Sequence, residues 1–361
     1  MKRDLKVLII PLDWGLGHAT RCIPIIQHML KLGWKVSLAG EGKTAKLLSS
    51  EFPELPMFNL KGYRISYPTK GWLFIPKIIL QIPKIIASII REHCWLKQEM
   101  KIHGWDLVIS DNRYGLFTDK AKTIIITHQL HLISGLGKPV DLLVRKITYL
   151  FLQRYNTCWV PDTEDSLNIS GKLSHPNKLP KNVEYIGPIS RMEKNDAAEK
   201  NTVLLLLSGP EPQRTILEEK LVAQVKEINE TFICIRGLPA DEIKKTNLMN
   251  IQFINHVGAK DLSRYIQESK MVVCRTGYST VMDLIKLQKK AIMIPTPGQT
   301  EQECLGKRLK ELDWFIIQDQ QNLDLQQGIE KCRHSGNMIP ALKFDMFCKS
   351  IESFSIQYFG A

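Results

Sequence analysis

Four short stretches of this chain place glycine beside hydroxyl, amide or charged side chains directly after an aliphatic run. The first is Pro11-Leu12-Asp13-Trp14-Gly15-Leu16-Gly17-His18-Ala19-Thr20-Arg21, which follows Val7-Leu8-Ile9-Ile10. Glycines here let the backbone turn tightly and bring helix-start amides close to an anion, because that helix end carries roughly half a positive charge. Thr20 stands where a third glycine would complete the GxGxxG dinucleotide pattern, which disfavours NAD. His18, at the mouth of the turn, is of the type that donates to a phosphate or acts as a general base near neutral pH. A histidine alone in a loop is otherwise a solvated surface residue.

Two further turns lie in the second half, Leu207-Ser208-Gly209-Pro210-Glu211-Pro212 and Cys274-Arg275-Thr276-Gly277-Tyr278-Ser279-Thr280. Two helix starts at the carboxyl edge of one parallel sheet can converge on a diphosphate. Asp283 falls three residues after Thr280, one turn deeper on the same helical face, where a carboxylate can accept from ribose hydroxyls. The fourth stretch is Pro295-Thr296-Pro297-Gly298-Gln299-Thr300-Glu301-Gln302-Glu303. Its amides and carboxylates suit recognition of sugar hydroxyls, or equally a capping loop with Thr300 as cap and Glu303 closing a capping box.

The elements that would position these residues alternate β-branched runs with longer amphipathic segments, the pattern of a parallel sheet covered by helices. In the first half the strands read as 7–10, 35–38, 107–109, 123–127 and 157–160, with a helix over 19–32. In the second they read as 203–207, 231–236, 271–274 and 291–295, with helices over 213–227, 280–287 and 302–312. The polar stretch 161–201, with Pro161, Pro176, Pro180 and Pro188, reads as the interdomain connection. A helical pattern over 345–359 follows Pro340.

A length of 361 residues suits two domains. The net charge of +12 means that some face attracts anions, whether nucleic acid, a bilayer or phosphorylated small molecules. Nucleic acid is disfavoured, since neither clustered basic and aromatic residues nor a zinc-finger or helix-turn-helix signature is present. The eight cysteines are too scattered for a metal knuckle or disulfide framework and read as reduced, mostly buried side chains. With too short an apolar run for a signal peptide near the N-terminus, the expected location is cytoplasmic. The segment 72–91 is apolar, but Lys77 and Lys84 would each cost roughly 2.5–3.5 kcal/mol at mid-membrane, and Pro83 is read as interrupting a helix. Lys77, Lys84 and Arg91 recur every seven residues along one stripe, which fits either docking on an anionic membrane surface or a core helix pair with snorkelling lysines.

Gly277-Tyr278-Ser279-Thr280-Val281-Met282-Asp283, then Ile292-Met293-Ile294-Pro295, then Gln299-Thr300-Glu301-Gln302 resemble, at this spacing, the donor-binding region of MurG-like glycosyltransferases. That group is of family 28 type, has the GT-B fold and uses UDP-N-acetylglucosamine. The resemblance implies an α/β chain of two Rossmann-like domains whose parallel sheets face each other across a cleft. Residues 1–187 would bind the acceptor, 188–342 the nucleotide sugar, and 343–361 would form a helix returning to the first domain. Asp283 stands where the family has a glutamate holding the ribose, Gln302 and Glu303 where a glutamine pair contacts the sugar, and Ser208 and Gly209 in the loop near the diphosphate. Gly187-Pro188-Ile189-Ser190-Arg191 resembles the hinge motif whose arginine reaches the donor. Ile254, Arg275, Gly277, Ser279, Thr280 and Gln299 complete the implied donor set. Gly15, Gly17 and His18 resemble the first glycine loop, whose histidine faces the reaction centre, and His128 a histidine loop on the acceptor side. The sequence departs in having Asp283 for glutamate, no glycine pair at 208–210, and Gln129 after His128 where an acid is expected.

The expected reaction is transfer of a sugar, N-acetylglucosamine or another hexose, from a UDP-sugar to a glycan or lipid-linked acceptor, with inversion implied by the resemblance. His18 is the first candidate for the base and Asp111, at the end of a strand on the same edge, the second. No cofactor or metal is expected, since there is no DxD motif and amides at Gly277 with Arg191 or Arg275 could meet the diphosphate charge. Two other readings compete. One is a nucleotide-sugar epimerase of the same fold, which would isomerise the donor without an acceptor; the other is a noncatalytic nucleotide-sugar-binding subunit of a glycan assembly complex.

Overall fold

The computed structural model describes residues 4–65, 77, 79–134, 136–195, 197–238, 248–336 and 338–360. The chain forms two units, one comprising the described residues up to Arg191 together with those of Lys343–Ala361, the other those of Met192–Leu342.

In the first unit strands β1 (Lys6–Pro11), β2 (Lys35–Gly40), β3 (Met57–Asn59), β4 (Leu107–Asp111), β5 (Lys122–Ile126), β6 (Thr157–Val160) and β7 (Val183–Tyr185) make one parallel sheet of order β3-β2-β1-β4-β5-β6-β7. A parallel sheet is covered on both faces, so its central strands are apolar throughout rather than alternating. Val7, Ile9, Leu107, Ile109, Ile124, Ile126 and Trp159 pack on one face beneath Cys22, Ile25, Ile26 and Met29 of α1 (Leu16–Lys31) and Phe347, Ile351 and Phe354 of the C-terminal helix Met346–Phe359. The short helix α2 (Gly42–Glu51) adds Leu48 to this layer. Leu8, Ile10 and Val108 turn to the other face, under Leu96 and Met100 of α3 (Ile82–His103), while α4 (Lys138–Leu152) seats Leu152 on Ile125, Cys158 and Val160.

The second unit repeats the arrangement with β8 (Lys200–Leu206), β9 (Thr231–Ile235), β10 (Ile251–Ile254), β11 (Ser269–Cys274), β12 (Ala291–Met293) and β13 (Ile316–Ile317), all parallel, in the order β10-β9-β8-β11-β12-β13. Helices α5 (Gln213–Val225), α6 (Ala259–Glu268), α7 (Tyr278–Lys286) and α8 (Thr300–Glu311) lie between strands, α9 (Leu325–His334) follows β13, and Met346–Phe359 is α10.

One sequence expectation is corrected. The stretch 161–191 is integral to the first unit and not a connection: it carries β7, and the buried Asp162 carboxylate gathers its turn by accepting from the Thr163, Ile169 and Ser170 amides and the Ser174 hydroxyl at 2.8–2.9 Å. Polar composition misled because these polar groups satisfy one another internally. The interruption read at Pro83 is present: residues 77, 79 and 80 are helical, Gln81 is a turn residue, and α3 begins afresh at Ile82 with Pro83 in its first turn, where its missing N–H costs nothing. Residues 72–76 and 78 of the apolar segment lie outside the described residues. Among the described residues no helix is long and apolar enough to cross a membrane.

The loop after β4 is locked against α3. Arg113, fully buried, donates to Glu92 at 2.7 Å and to the Lys61 carbonyl at 2.7 Å, and Glu92 also accepts from Tyr63 and the Gly115 amide. Burial pushes the Glu92 carboxyl up while the Arg113 charge opposes it. A Cβ on Gly115 would lie 2.2 Å from the Ile89 carbonyl oxygen, a backbone atom that cannot swing aside. Gly115→Ala should therefore cost about 3 kcal/mol in urea unfolding, whereas Gly336→Ala, with nothing within 4 Å of the added carbon, should stay within about 0.5 kcal/mol of wild type.

Candidate active site

In a doubly wound parallel sheet a ligand crevice opens where neighbouring crossovers leave in opposite directions. In the first unit that point lies between β1 and β4, which are adjacent and register Pro11 opposite Asp111 at their carboxyl ends. The chain leaves β1 through Leu12, Asp13 and Trp14. Gly15 caps α1 with a φ of 154°, in the region that favours glycine. The helix starts at Leu16, earlier than the apolar pattern indicates, so Gly17 and His18 belong to its first turn and not to the preceding loop. Arg21 then falls one turn below His18, on the same face.

Asp111 is the meeting point. Its carboxylate is fully buried and accepts from Arg21 Nε at 2.8 Å, Arg21 Nη2 at 2.5 Å and His18 Nδ1 at 2.8 Å, with the Cys22 thiol at 3.7 Å. Burial alone would push this carboxyl up; the charges of Arg21 and His18 override it and hold the group well below the usual carboxylate range. Arg21 also reaches His128 Nδ1 at 3.1 Å, just beyond the end of β5. The structure thus brings His18, Asp111 and His128 together through an arginine that the sequence reading did not single out. Its only sequence signal is the i, i+3 spacing from His18 on an amphipathic helix.

Of these groups His18 is the part-exposed one, and Asp111, 0% exposed with both oxygens engaged, cannot meet a substrate as base. Its place is behind His18, fixing the ring. On the other side of the α1 N-terminus, Asp13, Gly15, Leu16, Glu41, Gly42, Lys43, Thr44 and Arg64 line a recess of about 360 Å³. There Arg64 pairs with Glu41 at 2.6 Å and, with the Gly62 amide, lowers the Glu41 carboxyl to about 2.

In the second unit the corresponding point lies between β8 and β11. The loops after β8, β11 and β12 interlock there. Thr276 Oγ1 donates to the Gln302 carbonyl at 2.9 Å, and Gln302 Oε1 accepts from the Thr296 amide at 2.9 Å. A Cβ on Gly209 would stand 4.0 Å from Thr296 Oγ1. Arg275 is 1% exposed, and its guanidinium donates to the carbonyls of Ile294, Pro295 and Gln213 at 3.3, 3.2 and 2.7 Å; burial lowers it to about 10. The expectation that Arg275 touches the diphosphate is corrected: its Nη groups bind backbone, tying three loops together.

Gly277 is the N-cap of α7 and offers no side chain to that helix start, with Ser279, Thr280 and Asp283 following in the helix. Gln299, not Thr300, is the N-cap of α8, and Glu303 Oε1 accepts from the Gly298 amide at 2.8 Å. Thr296 Oγ1 and Gln299 Oε1 are buried and, among the described residues, meet no hydrogen-bond partner. Thr296 is a second residue that the sequence reading left out of its site. Ser208 and Gly209 are exposed at the loop tip, and Ile254 ends β10 on the same sheet edge. Arg191 belongs to the first unit, where Nη1 lies 3.9 Å from Glu51.

Removing one partner of a buried ion pair strands the other, at about 3–5 kcal/mol. Asp111→Asn should lose stability of this order at pH 7. Because the folded-state carboxyl titrates below the unfolded one, its contribution is complete above about pH 4 and is lost as pH falls further. The gap between wild type and variant in urea unfolding should accordingly be widest near neutrality and narrow toward pH 2; a constant gap would contradict the assignment.

Comparison with known proteins adds the following. Residues 214–343 match the glycosyltransferase family 28 C-terminal domain. An uncharacterized glycosyltransferase of Methanosarcina acetivorans is 24% identical over 331 residues, covering 85% of this chain and 84% of that one. The UDP-N-acetylglucosamine--N-acetylmuramyl-(pentapeptide) pyrophosphoryl-undecaprenol N-acetylglucosamine transferase of Buchnera aphidicola subsp. Schizaphis graminum is 22% identical, covering 83% and 81%. Among solved structures, the glycotransferase of kitacinnamycin superposes with a TM-score of 0.66 at 11% identity over 99% of this chain and 96% of that one.

Proposed function

We propose that this chain, a glycosyltransferase of GT-B fold whose second unit carries the family 28 C-terminal domain, transfers a sugar from a UDP-sugar to a glycan or lipid-linked acceptor. The donor sugar is N-acetylglucosamine or another hexose, as in the N-acetylglucosamine transferase of Buchnera aphidicola that it resembles. The observation that carries this reading is the interlocking of the 208–213, 275–277 and 295–302 loops at one switch point, where Thr296 Oγ1 and Gln299 Oε1 lie buried without partners. Buried polar atoms of this kind call for a water or a ligand as partner, and sugar hydroxyls, which both donate and accept, suit the two at this edge.

In the proposed step the acceptor hydroxyl gives its proton to His18 Nε2 as its oxygen bonds to the anomeric carbon. The bond from that carbon to the UDP oxygen breaks on the opposite face, which inverts the centre. The electron pair leaves with UDP, and amides at the Gly277 helix start stabilise the charge on the diphosphate. Asp111 takes no proton. Asp283 is assigned to the ribose, Gln302 and Glu303 to the sugar, and no metal is assigned, because fixed donors can do the neutralising and the sequence has no DxD motif.

The same reading gives the acceptor side a membrane surface to work on. Ile82, Ile86 and Ile90 of α3 and Leu143, Ile147 and Leu150 of α4 are exposed, on helices that cover the same face of the first sheet. Arg91, Lys138 and Lys146 are exposed among them. Apolar residues ringed by cations suit an anionic bilayer surface at the cytoplasmic side.

Two measurements bear on this. His18→Ala should lower kcat by about 10²–10⁴ while UDP affinity stays within about threefold, and an undiminished rate would exclude His18 as base. In co-sedimentation with anionic vesicles at low salt the protein should pellet, and Arg91→Gln and Lys146→Gln should each weaken binding by about 1 kcal/mol. Protein remaining in the supernatant at low salt would remove the membrane from the proposal.

A further inference from the structure

The side chain of Arg21 faces two imidazoles and one carboxylate, and the hydrogen-bonding chemistry of the three is unequal. A carboxylate only accepts, and a guanidinium only donates. His18 Nδ1 lies 2.8 Å from Asp111 Oδ1, so that nitrogen carries the hydrogen and the lone pair of the neutral ring is on Nε2. His128 Nδ1 lies 3.1 Å from Arg21 Nη1, so that nitrogen is bare and the hydrogen is on Nε2. Arg21 Nη2 also lies 3.2 Å from His18 Nδ1. Both are donors, and their closeness follows from their converging on the same Asp111 oxygen, at 2.5 and 2.8 Å.

We propose that Arg21, through Asp111 on one side and directly on the other, holds His18 and His128 in opposite tautomers, so that one ring presents a proton-accepting Nε2 and the other an Nε2–H donor. Gln129 Nε2 is placed 3.5 Å from His128 Nε2; an NH2 group cannot accept from an Nε2–H, so this tautomer requires the Gln129 amide to be turned over, with its oxygen toward the ring. Its NH2 group then points away from His128. Arg21 is in this sense a positioning residue: it selects which of the two rings can take a proton at Nε2. The roles of the rings rest on the glycosyl-transfer reading; their tautomers do not.

The test is long-range proton–nitrogen correlation on full-length protein labelled with 15N-histidine, the two resonance sets being identified by their loss in His18→Gln and His128→Gln. His18 should show the hydrogen on Nδ1 and His128 on Nε2. In Arg21→Gln the His128 ring should become a mixture of tautomers, and turnover should fall about 100-fold with UDP affinity held within about twofold. A His128 ring carrying its hydrogen on Nδ1 in the wild type, or one unchanged in Arg21→Gln, overturns the proposal. If Arg21→Gln does not fold, the wild-type spectrum decides alone. Opposite tautomers in a protein that transfers no sugar would uphold this inference and sink the functional reading instead.

Discussion

Parallel strands impose the constraint from which the rest of this molecule follows. Each strand must be followed by a crossover before the next can pair, so all carboxyl ends of a sheet, and all the helix starts that follow them, gather on one edge. Where the order reverses, between β1 and β4 and again between β8 and β11, the two crossovers diverge and leave room. His18, Asp111 and His128 come to one place because they follow β1, end β4 and follow β5, strands that are neighbours in space although 93 residues separate His18 from Asp111 and 107 separate Arg21 from His128. The loops at 208–213, 275–277 and 295–302 meet for the same reason.

The two edges use buried cations differently. Arg21 is matched by a carboxylate that takes two of its donors, so the pair is electrically closed and its remaining contacts serve geometry. Arg275 binds three carbonyl oxygens across three loops. Charge-assisted bonds to carbonyls fix backbone as well as ion pairs fix side chains. The aliphatic faces beneath both edges supply the bulk stabilisation; these polar contacts choose one arrangement of the loops above it.

Relations to known proteins agree with this division. The family 28 match falls on residues 214–343, within the half where the loops after β8, β11 and β12 interlock, whereas the likeness to solved structures at 11% identity speaks for the fold alone. At such distance the chemistry has to be argued from side chains.

The sequence by itself determined the α/β class, the central strands of both sheets and the loops that follow them, because a strand buried on both faces must be a continuous aliphatic run. The four strands it did not reveal, β3, β7, β10 and β13, are the four sheet edges, only two to four residues long and partly exposed, where burial no longer dictates residue type. Asp162 and its polar turn were legible as composition but not as structure, since mutual satisfaction of polar groups leaves no hydrophobic period. Likewise His18 was visible as a residue type beside glycine, while its partners were not. Only tertiary structure decided that Arg21 would close on Asp111 and reach His128, and that Arg275 would bind backbone, because a side chain's hydrogen-bond partner is set by which strand ends the fold makes adjacent, and separation along the chain carries no record of that.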